Sequence, residues 1–438
     1  MDKLLKMAAE SADKAEVLMI ETQAAPFNIY NGISNDILEG DVREVSLRIV
    51  KNGRLGVAKG SFTGKNRDAF LKDAMTSAEH GPEVSFNFPG QSPPKGGEIY
   101  DKALAGLSAR DMATEGWRLV DLAKKKAPEM MMNVYIERER KQFHLMNTSG
   151  ADVSYDQTIY TANLLHMFPG SKEGINKELV SCRWFEYPEE KVDELVEEFE
   201  QTRVDVEVPT RKMPVLFRTS ATWSLLYRVL VGVSGDNWVK ELTPLKKKVE
   251  HAVFPEFVTL LDDPTVPYAP GSVPYDDEGV PTRKKAIVDH GVLKNFIFDL
   301  ATGADSGRGS SGNGFKKDMW GKGIEMTPVP RFTNFVMEPG ALPYREMIRS
   351  LEEGIVVNDV IGFHAGNMLA GEFSMNVGIG SYVKNGKPVG RCMDTMIAGN
   401  IYEDFHNIRA LGDVVEYNPQ AYTPDILFGD MSVSGTGK

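Results

Sequence analysis

The chain has 438 residues, 42% of them hydrophobic and 26% charged, with a formal net charge of -12. That composition belongs to a globular protein with buried cores, and at ~150 residues per domain it allows about three domains. An acidic chain repels a phosphate backbone on average, so wholesale nucleic-acid binding is excluded and Lys246, Lys247 and Lys248, the strongest basic cluster, read as a solvated face.

The pattern predicts a helix first, with Leu4, Leu5, Ala8 and Ala12 at helical spacing, then a strand over residues 16–20. Residues 45–50 alternate apolar and polar, and residues 55–58 follow Asn52-Gly53. Asn-Gly between such runs signals a hairpin, because a type I′ turn needs positive φ at both central positions. Residues 68–80 read as a helix with Phe70, Leu71, Ala74 and Ala78 on one face, and the Pro- and Gly-rich residues 82–97 read as a linker. Ser108 is a candidate N-cap for a helix through Met112, Leu119 and Val120. Strands are expected over 132–137, 141–146, 152–155 and 158–167, with a turn at Asn147-Thr148-Ser149-Gly150, and a charged helix over 186–206. Residues 213–217 read as a short buried strand, followed by a helix capped by Thr219 or Ser220 and carrying Trp223, Leu226, Tyr227 and Leu230. Beyond it the text is mostly β and loop, with hairpins at His290-Gly291 and Asn385-Gly386 and a glycine-dense region over 303–323. The expected fold class is α+β. A helix-and-hairpin N-terminal unit spans 1–92, a middle α+β unit spans 93–208, and a large β-rich C-terminal domain with mixed and antiparallel sheet spans 209–438.

Two cysteines, Cys182 and Cys392, are too few for the disulfide framework of a secreted protein and read as reduced thiols. Residues 1–3 lead into polar helical text with no signal-peptide core. The longest apolar stretch, 223–233, is broken by Ser224, Arg228 and Gly232 and is too short to span a bilayer. The expectation is a cytoplasmic protein that engages neither membrane nor nucleic acid.

A search for chemistry by residue type returns little. The nearest two of the seven histidines, His144 and His166, lie 22 residues apart, so no helix carries a zinc-binding His pair. Cys392 reads as a small buried hydrophobe. The serines of Gly309-Ser310-Ser311-Gly312 and Gly371-Glu372-Phe373-Ser374 lack the spacing of a nucleophile elbow. The glycine-dense region has no Gly-Lys-Ser/Thr ending for phosphate. Asp276-Asp277-Glu278-Gly279 lacks the alternating ligand spacing of a calcium loop and reads as an acidic turn.

Several segments occur in an order and spacing that resemble one family. They are residues 260–265, Asp276-Asp277-Glu278-Gly279-Val280-Pro281-Thr282, residues 289–294, Ser311-Gly312-Asn313-Gly314, residues 330–335, Glu338-Pro339-Gly340, Gly371-Glu372-Phe373-Ser374 and Ile397-Ala398-Gly399-Asn400. Together they resemble the TldD/PmbA family of peptidase-complex proteins (peptidase U62), once called modulators of DNA gyrase, over nearly the whole chain. The resemblance implies that catalytic members carry His-Glu-x-x-x-His on the helix after the first strand of the third unit, and a Cys near the C-terminus, as zinc ligands. Here that helix begins Thr219-Ser220-Ala221-Thr222-Trp223, with no His and no Glu through Arg228, and residues 393–438 hold no Cys.

Both departures match the PmbA (TldE-like) branch. The implied role is a noncatalytic subunit, inactive alone, that pairs with a zinc-bearing TldD-like subunit and shapes the chamber and channel through which unfolded peptides reach the zinc. No catalytic or metal-binding residue and no cofactor are expected in this chain, zinc being expected only in the partner. The channel candidates are Asn313, Arg331, Asn334, His364 and Ser374, against the alternative that they maintain turns. The rival readings are a homodimeric peptide-binding scaffold, an independent hydrolase using Cys392 or a serine, and direct modulation of gyrase or DNA.

Overall fold

Strands β1 (Lys14–Tyr30), β2 (Gly40–Lys51), β3 (Arg54–Ser61), β4 (Met132–Asn147), β5 (Asp152–Met167) and β6 (Gly174–Ser181) form one antiparallel sheet in the order β3-β2-β1-β4-β5-β6. The computed structural model describes residues 1–35, 39–168, 174–317, 323–418 and 421–437. β1 is the spine of this sheet. It pairs with β2 from Lys14↔Val50 to Ala24↔Gly40, and with β4 from Glu16↔Asn147 to Ile29↔Val134. Pro26 lies beyond the last β1–β2 pair, Ala24↔Gly40, and is paired with Glu137 of β4 on the other side.

The expected boundary at residue 92 therefore falls between two stretches of one sheet, because β1 and β4 are hydrogen-bonded neighbours. Helices α1 (Asp2–Ser11) and α2 (Arg67–His80) bury Leu4, Ala8, Phe70 and Ala74 against Val17, Val45 and Leu47. Helices α3 (Ala109–Lys126) and α4 (Glu189–Gln201) bury Leu119, Val120 and Leu195 with Phe27, Val134, Ile136 and Leu164. Ser108 caps α3 as the sequence predicts, in a reciprocal pair of bonds with Asp111. The charged helix expected over 186–206 is shorter. It ends at Gln201, and Asp205–Glu207 leaves as a strand parallel to residues 391–393.

The second half is built on β7 (Arg211–Phe217), β8 (Glu353–Ile361), β9 (Glu372–Lys384), β10 (Lys387–Met393), β11 (Met396–Asn400), β12 (Ile408–Asn418) and β13 (Ala421–Ser434). β13 is antiparallel to β7, β7 parallel to β8, β8 antiparallel to β9, β9 antiparallel to β11, and β11 antiparallel to β13. The ring closes into a small mixed barrel whose core holds Phe217, Ile355, Val357, Phe373, Met375, Ile397 and Phe428. The α+β class with a mixed C-terminal sheet stands. The three expected hairpins are present, with positive φ at Asn52 and Gly53 (50° and 75°), His290 and Gly291 (45° and 77°), and Asn385 and Gly386 (50° and 72°). No helix among the described residues is long and apolar enough to cross a membrane.

One buried cluster of charge joins the halves. Arg48 of β2 donates from Nε to Glu16 Oε1 of β1 (2.8 Å) and from Nη1 to Glu278 Oε1 of the second half (2.7 Å). Glu16, Arg48 and Glu278 are 1%, 3% and 1% exposed. Glu278 Oε2 accepts from Leu300 N–H (2.7 Å), and the Arg48 guanidinium stands 5.3 Å from the Phe88 ring centre. The acidic turn at 276–279 is thus an interior element, its Asp276 carboxylate accepting from the amides of Glu278, Val280 and Gly314.

Burial pushes the Glu16 carboxyl up to about 7 against the pull of Arg48, and burial with Glu278 pushes Asp299 to about 7. Between the ordinary carboxyl values of 4.5 and 3.8 and about 7, the folded chain holds protons that the unfolded chain has released. The contribution of these two groups to stability therefore falls as pH rises through that window. Arg48→Met is expected to destabilise by about 3–5 kcal/mol, since it strands two buried carboxylates. The loss, measured by urea denaturation, should be larger at pH 8 than at pH 5, where the stranded acids can take up protons.

Candidate functional site

Helix α5 (Thr219–Gly232) follows β7 directly, and buried residues occupy nearly every face of it. Its first turn is not capped by Thr219 or Ser220 as the sequence suggests. Arg218 holds the N-cap position, and Asp425 Oδ1 of β13 accepts from the Thr219 N–H (2.8 Å). Arg218 Nε donates to the same oxygen (3.1 Å), and its guanidinium lies 3.6 Å from the Tyr344 ring centre. Burial opposes the Arg218 charge, but Asp425 outweighs it and holds the guanidinium above its ordinary value. Burial wins at Asp425, whose carboxyl is raised despite Arg218.

Two clefts of about 150 and 370 Å³ meet at this helix end, and Glu198, Thr219 and Glu416 line both. The first runs along residues 174–179 of β6, with the end of β12 (Glu416, Tyr417, Asn418) and Ser220 opposite. Among the described residues β6 has one strand neighbour, β5, with its Lys177 carbonyl also accepting from Tyr187 Oη (2.9 Å), and β12 pairs with β13 and bridges Leu342 at Gly412, so each keeps part of one edge without a strand partner. The second cleft lies among α4, Tyr344 and residues 412–414. Between them Thr219 Oγ1 donates to Glu416 Oε2 (3.0 Å), and Lys191 Nζ bridges Glu416 to Glu194. Burial works against the Lys191 ammonium, but its bonds to Glu194 and Glu416 hold its pKa above the ordinary lysine value. Burial would raise Glu416, but Lys191 and Thr219 hold it below the ordinary range. Lys177 pairs with Glu198 on the cleft wall.

The five channel candidates lie outside both clefts. Asn313 is fully buried, donating from Nδ2 to Asp262 Oδ2 (2.7 Å) and to the Arg331 carbonyl (2.8 Å). Asn334 is also buried, donating to the Asp263 carbonyl (2.8 Å) and Ser272 Oγ (2.9 Å) and accepting from Gly271 N–H (3.0 Å). The structure thus brings Asn313, Arg331 and Asn334 together around the Asp262-Asp263 turn, where they staple loops. His364 stands exposed on the connection after β8, and half-buried Ser374 on β9 donates to Met396 Sδ (3.0 Å). The residues that build the clefts, Lys177, Lys191, Glu198, Arg218, Glu416 and Asp425, come from segments spread over more than half the chain and carry no local signature.

Both thiols are buried and free, and burial pushes each up to about 12, so neither Cys182 nor Cys392 is a nucleophile at neutral pH. The residues present do not fit a zinc ion. Helix α5 carries no histidine, and its Arg228 is buried with no carboxylate partner among the described residues. The guanidinium is satisfied by backbone carbonyls instead: Ser224 (2.8 Å), Glu372 (2.7 Å), Phe363 (2.8 Å) and Ala365 (2.8 Å). Burial lowers it to about 10. Among the described residues no group of three His, Cys, Asp or Glu stands close enough to share a metal.

Residues 210–435 match the family model described as the PmbA/TldA metallopeptidase C-terminal domain. The chain is 24% identical over 434 residues to an uncharacterized protein of Methanocaldococcus jannaschii, covering 98% of each. It is 27% identical over 293 residues to a metalloprotease of Archaeoglobus fulgidus, covering 65% of this chain and 66% of that one. The crystal structure of TldE from Thermococcus kodakarensis superposes with a TM-score of 0.90 over 99% of this chain and 100% of that one, at 22% identity, a likeness of fold.

Arg228→Met leaves four carbonyls without their donor and is expected to cost about 3 kcal/mol. Hydrogen exchange should quicken over residues 363–372 before the β1–β4 ladder is affected. Arg228→Lys should recover part of the loss, its single ammonium reaching fewer of the carbonyls.

Proposed function

Because the chain belongs to the PmbA/TldD metallopeptidase family, we propose that it is a subunit that holds unfolded peptide without cutting it, while a zinc-bearing TldD-like partner supplies the hydrolytic centre. The observation that carries the reading is the content of α5. The resemblance places the zinc-binding His-Glu-x-x-x-His on this helix in catalytic members, and here the one charged side chain on the helix is the Arg228 guanidinium, held by carbonyls and repelling any metal cation. Zinc hydrolysis needs ligands, a polarised water and a base, and α5 supplies none of them.

A peptide-holding role is supported by the open edges of β6 and β12 at the first cleft. An extended peptide binds such an edge through its main chain, with little regard to sequence, as a partner that feeds many substrates to one zinc requires. The subunit then forms one wall of a chamber and the partner the other. Two buried free thiols accord with a cytoplasmic setting.

The chain purified alone should carry substoichiometric zinc by metal analysis and leave unfolded peptides intact. Mixing with a TldD-like partner should raise peptidase activity above that of the partner alone; activity that stays at the partner's own level sinks the reading. Ser220→Trp, which fills the mouth of the first cleft, should weaken peptide binding and lower the activity of the mixture while leaving the melting temperature unchanged.

A further inference from the structure

The joined clefts have a charge of their own. Along their combined walls carboxylates outnumber ammonium and guanidinium groups two to one. Three of the four cations are engaged within the walls: Lys191 with Glu194 and Glu416, Lys177 with Glu198, and Arg218 with Asp425. Glu197 and Asp413 stand exposed at the rim of the second cleft, where neither carries an ion pair with another described residue. A groove with low-dielectric walls focuses such an excess, so the field inside exceeds what the same charges would produce on a flat surface.

We infer that the groove along β6, the α5 N-terminus and α4 selects extended peptides carrying lysine and arginine over neutral or acidic ones. This rests on the peptide-holding reading and adds to it the class of substrate. The open strand edges take the main chain at the first cleft, and the acidic excess of the second takes cationic side chains protruding from it. Lys177 and Lys191 do not cancel the preference, because each is already neutralised by a carboxylate whose pairing would have to break before it could serve an acidic peptide. The chain's overall charge of -12 also attracts cations, so location has to be separated from net charge.

The test uses the full chain and three fluorescent unstructured peptides of equal length in which serine alternates with lysine, glutamine or glutamate, read by anisotropy. The lysine peptide is expected to bind about tenfold tighter than the glutamine peptide, with the glutamate peptide weakest, and the gap should shrink as ionic strength rises from about 0.05 to about 0.5 M. Glu197→Gln with Asp413→Asn should narrow the gap severalfold. Asp68→Asn with Glu79→Gln, the same charge change on remote α2, should leave it intact. Equal binding of all three peptides overturns the charge selection and spares the peptide-holding reading, whereas binding of none overturns both. A gap that both double variants narrow alike assigns the preference to net charge and overturns the location.

Discussion

The pairing of Arg48 with Glu16 and Glu278 is the constraint on which the arrangement of the two halves rests. Glu16 and Arg48 lie on neighbouring strands of the first sheet, and Glu278 lies on a turn of the second half, so one guanidinium spans the join. A buried ion pair contributes little net stability against a well-packed apolar equivalent, but it is intolerant of misplacement, because either half shifted leaves a charge unpaired in a dry interior. The turn is fixed in turn by amides donating to Asp276 and by Lys316, which reaches back to Ser46 on β2 (3.3 Å).

Arg228 solves a different problem with the same side chain. Arg48 is neutralised by carboxylates, whereas Arg228 is solvated by carbonyls alone, and its lowered pKa reflects that poorer compensation. What it gains is geometric: its planar donors gather Phe363, Ala365 and Glu372, which flank the loop between β8 and β9, onto the face of α5. Helix α5 and the loop packed on it are organised by a cation that is covalently part of the chain. The loop is held at the cost of one desolvated charge, and no ligand is needed for its order.

The hairpins were legible because they depend on two adjacent residues: positive φ at Asn52-Gly53, His290-Gly291 and Asn385-Gly386 is a local demand that Asn, His and Gly meet. The Ser108 cap was legible for the same reason. The single sheet across the first two units was not, since the pairing of Glu16 with Asn147 joins residues that share no local pattern. The polar run from Arg138 to Arg140 reads as a break, yet it continues β4, because the strand there is less buried and the ladder to β5 carries on through Arg140↔Thr158. Asp276-Asp277-Glu278 reads as an acidic turn by composition, and its burial is compensated by partners far along the chain, Arg48 at Glu278 and the amides of Gly314 and Lys316 at Asp276 and Asp277. Asn313 and Asn334 are buried among loops that they hydrogen-bond together, a placement that sequence does not distinguish from binding.

An exposed strand edge is a hazard as well as an opportunity, and the residues at β6 and β12 bear on both. Lysines along an edge discourage another sheet from docking flush, since their ammonium groups would have to be desolvated against a neighbour. Lys177 on β6 is such a residue, and Lys191 and Glu416 guard the end of β12 in the same way. These ion pairs sit in side-chain positions, and the Lys177 carbonyl on the same strand is taken by Tyr187 Oη (2.9 Å). A flat sheet with side chains of its own meets the charged fringe, while a single flexible strand can thread beneath it and expose its own side chains to the acidic wall opposite. Such a fringe discourages flush sheet pairing more than it hinders a single strand, and the proposed peptide-holding groove draws on that asymmetry.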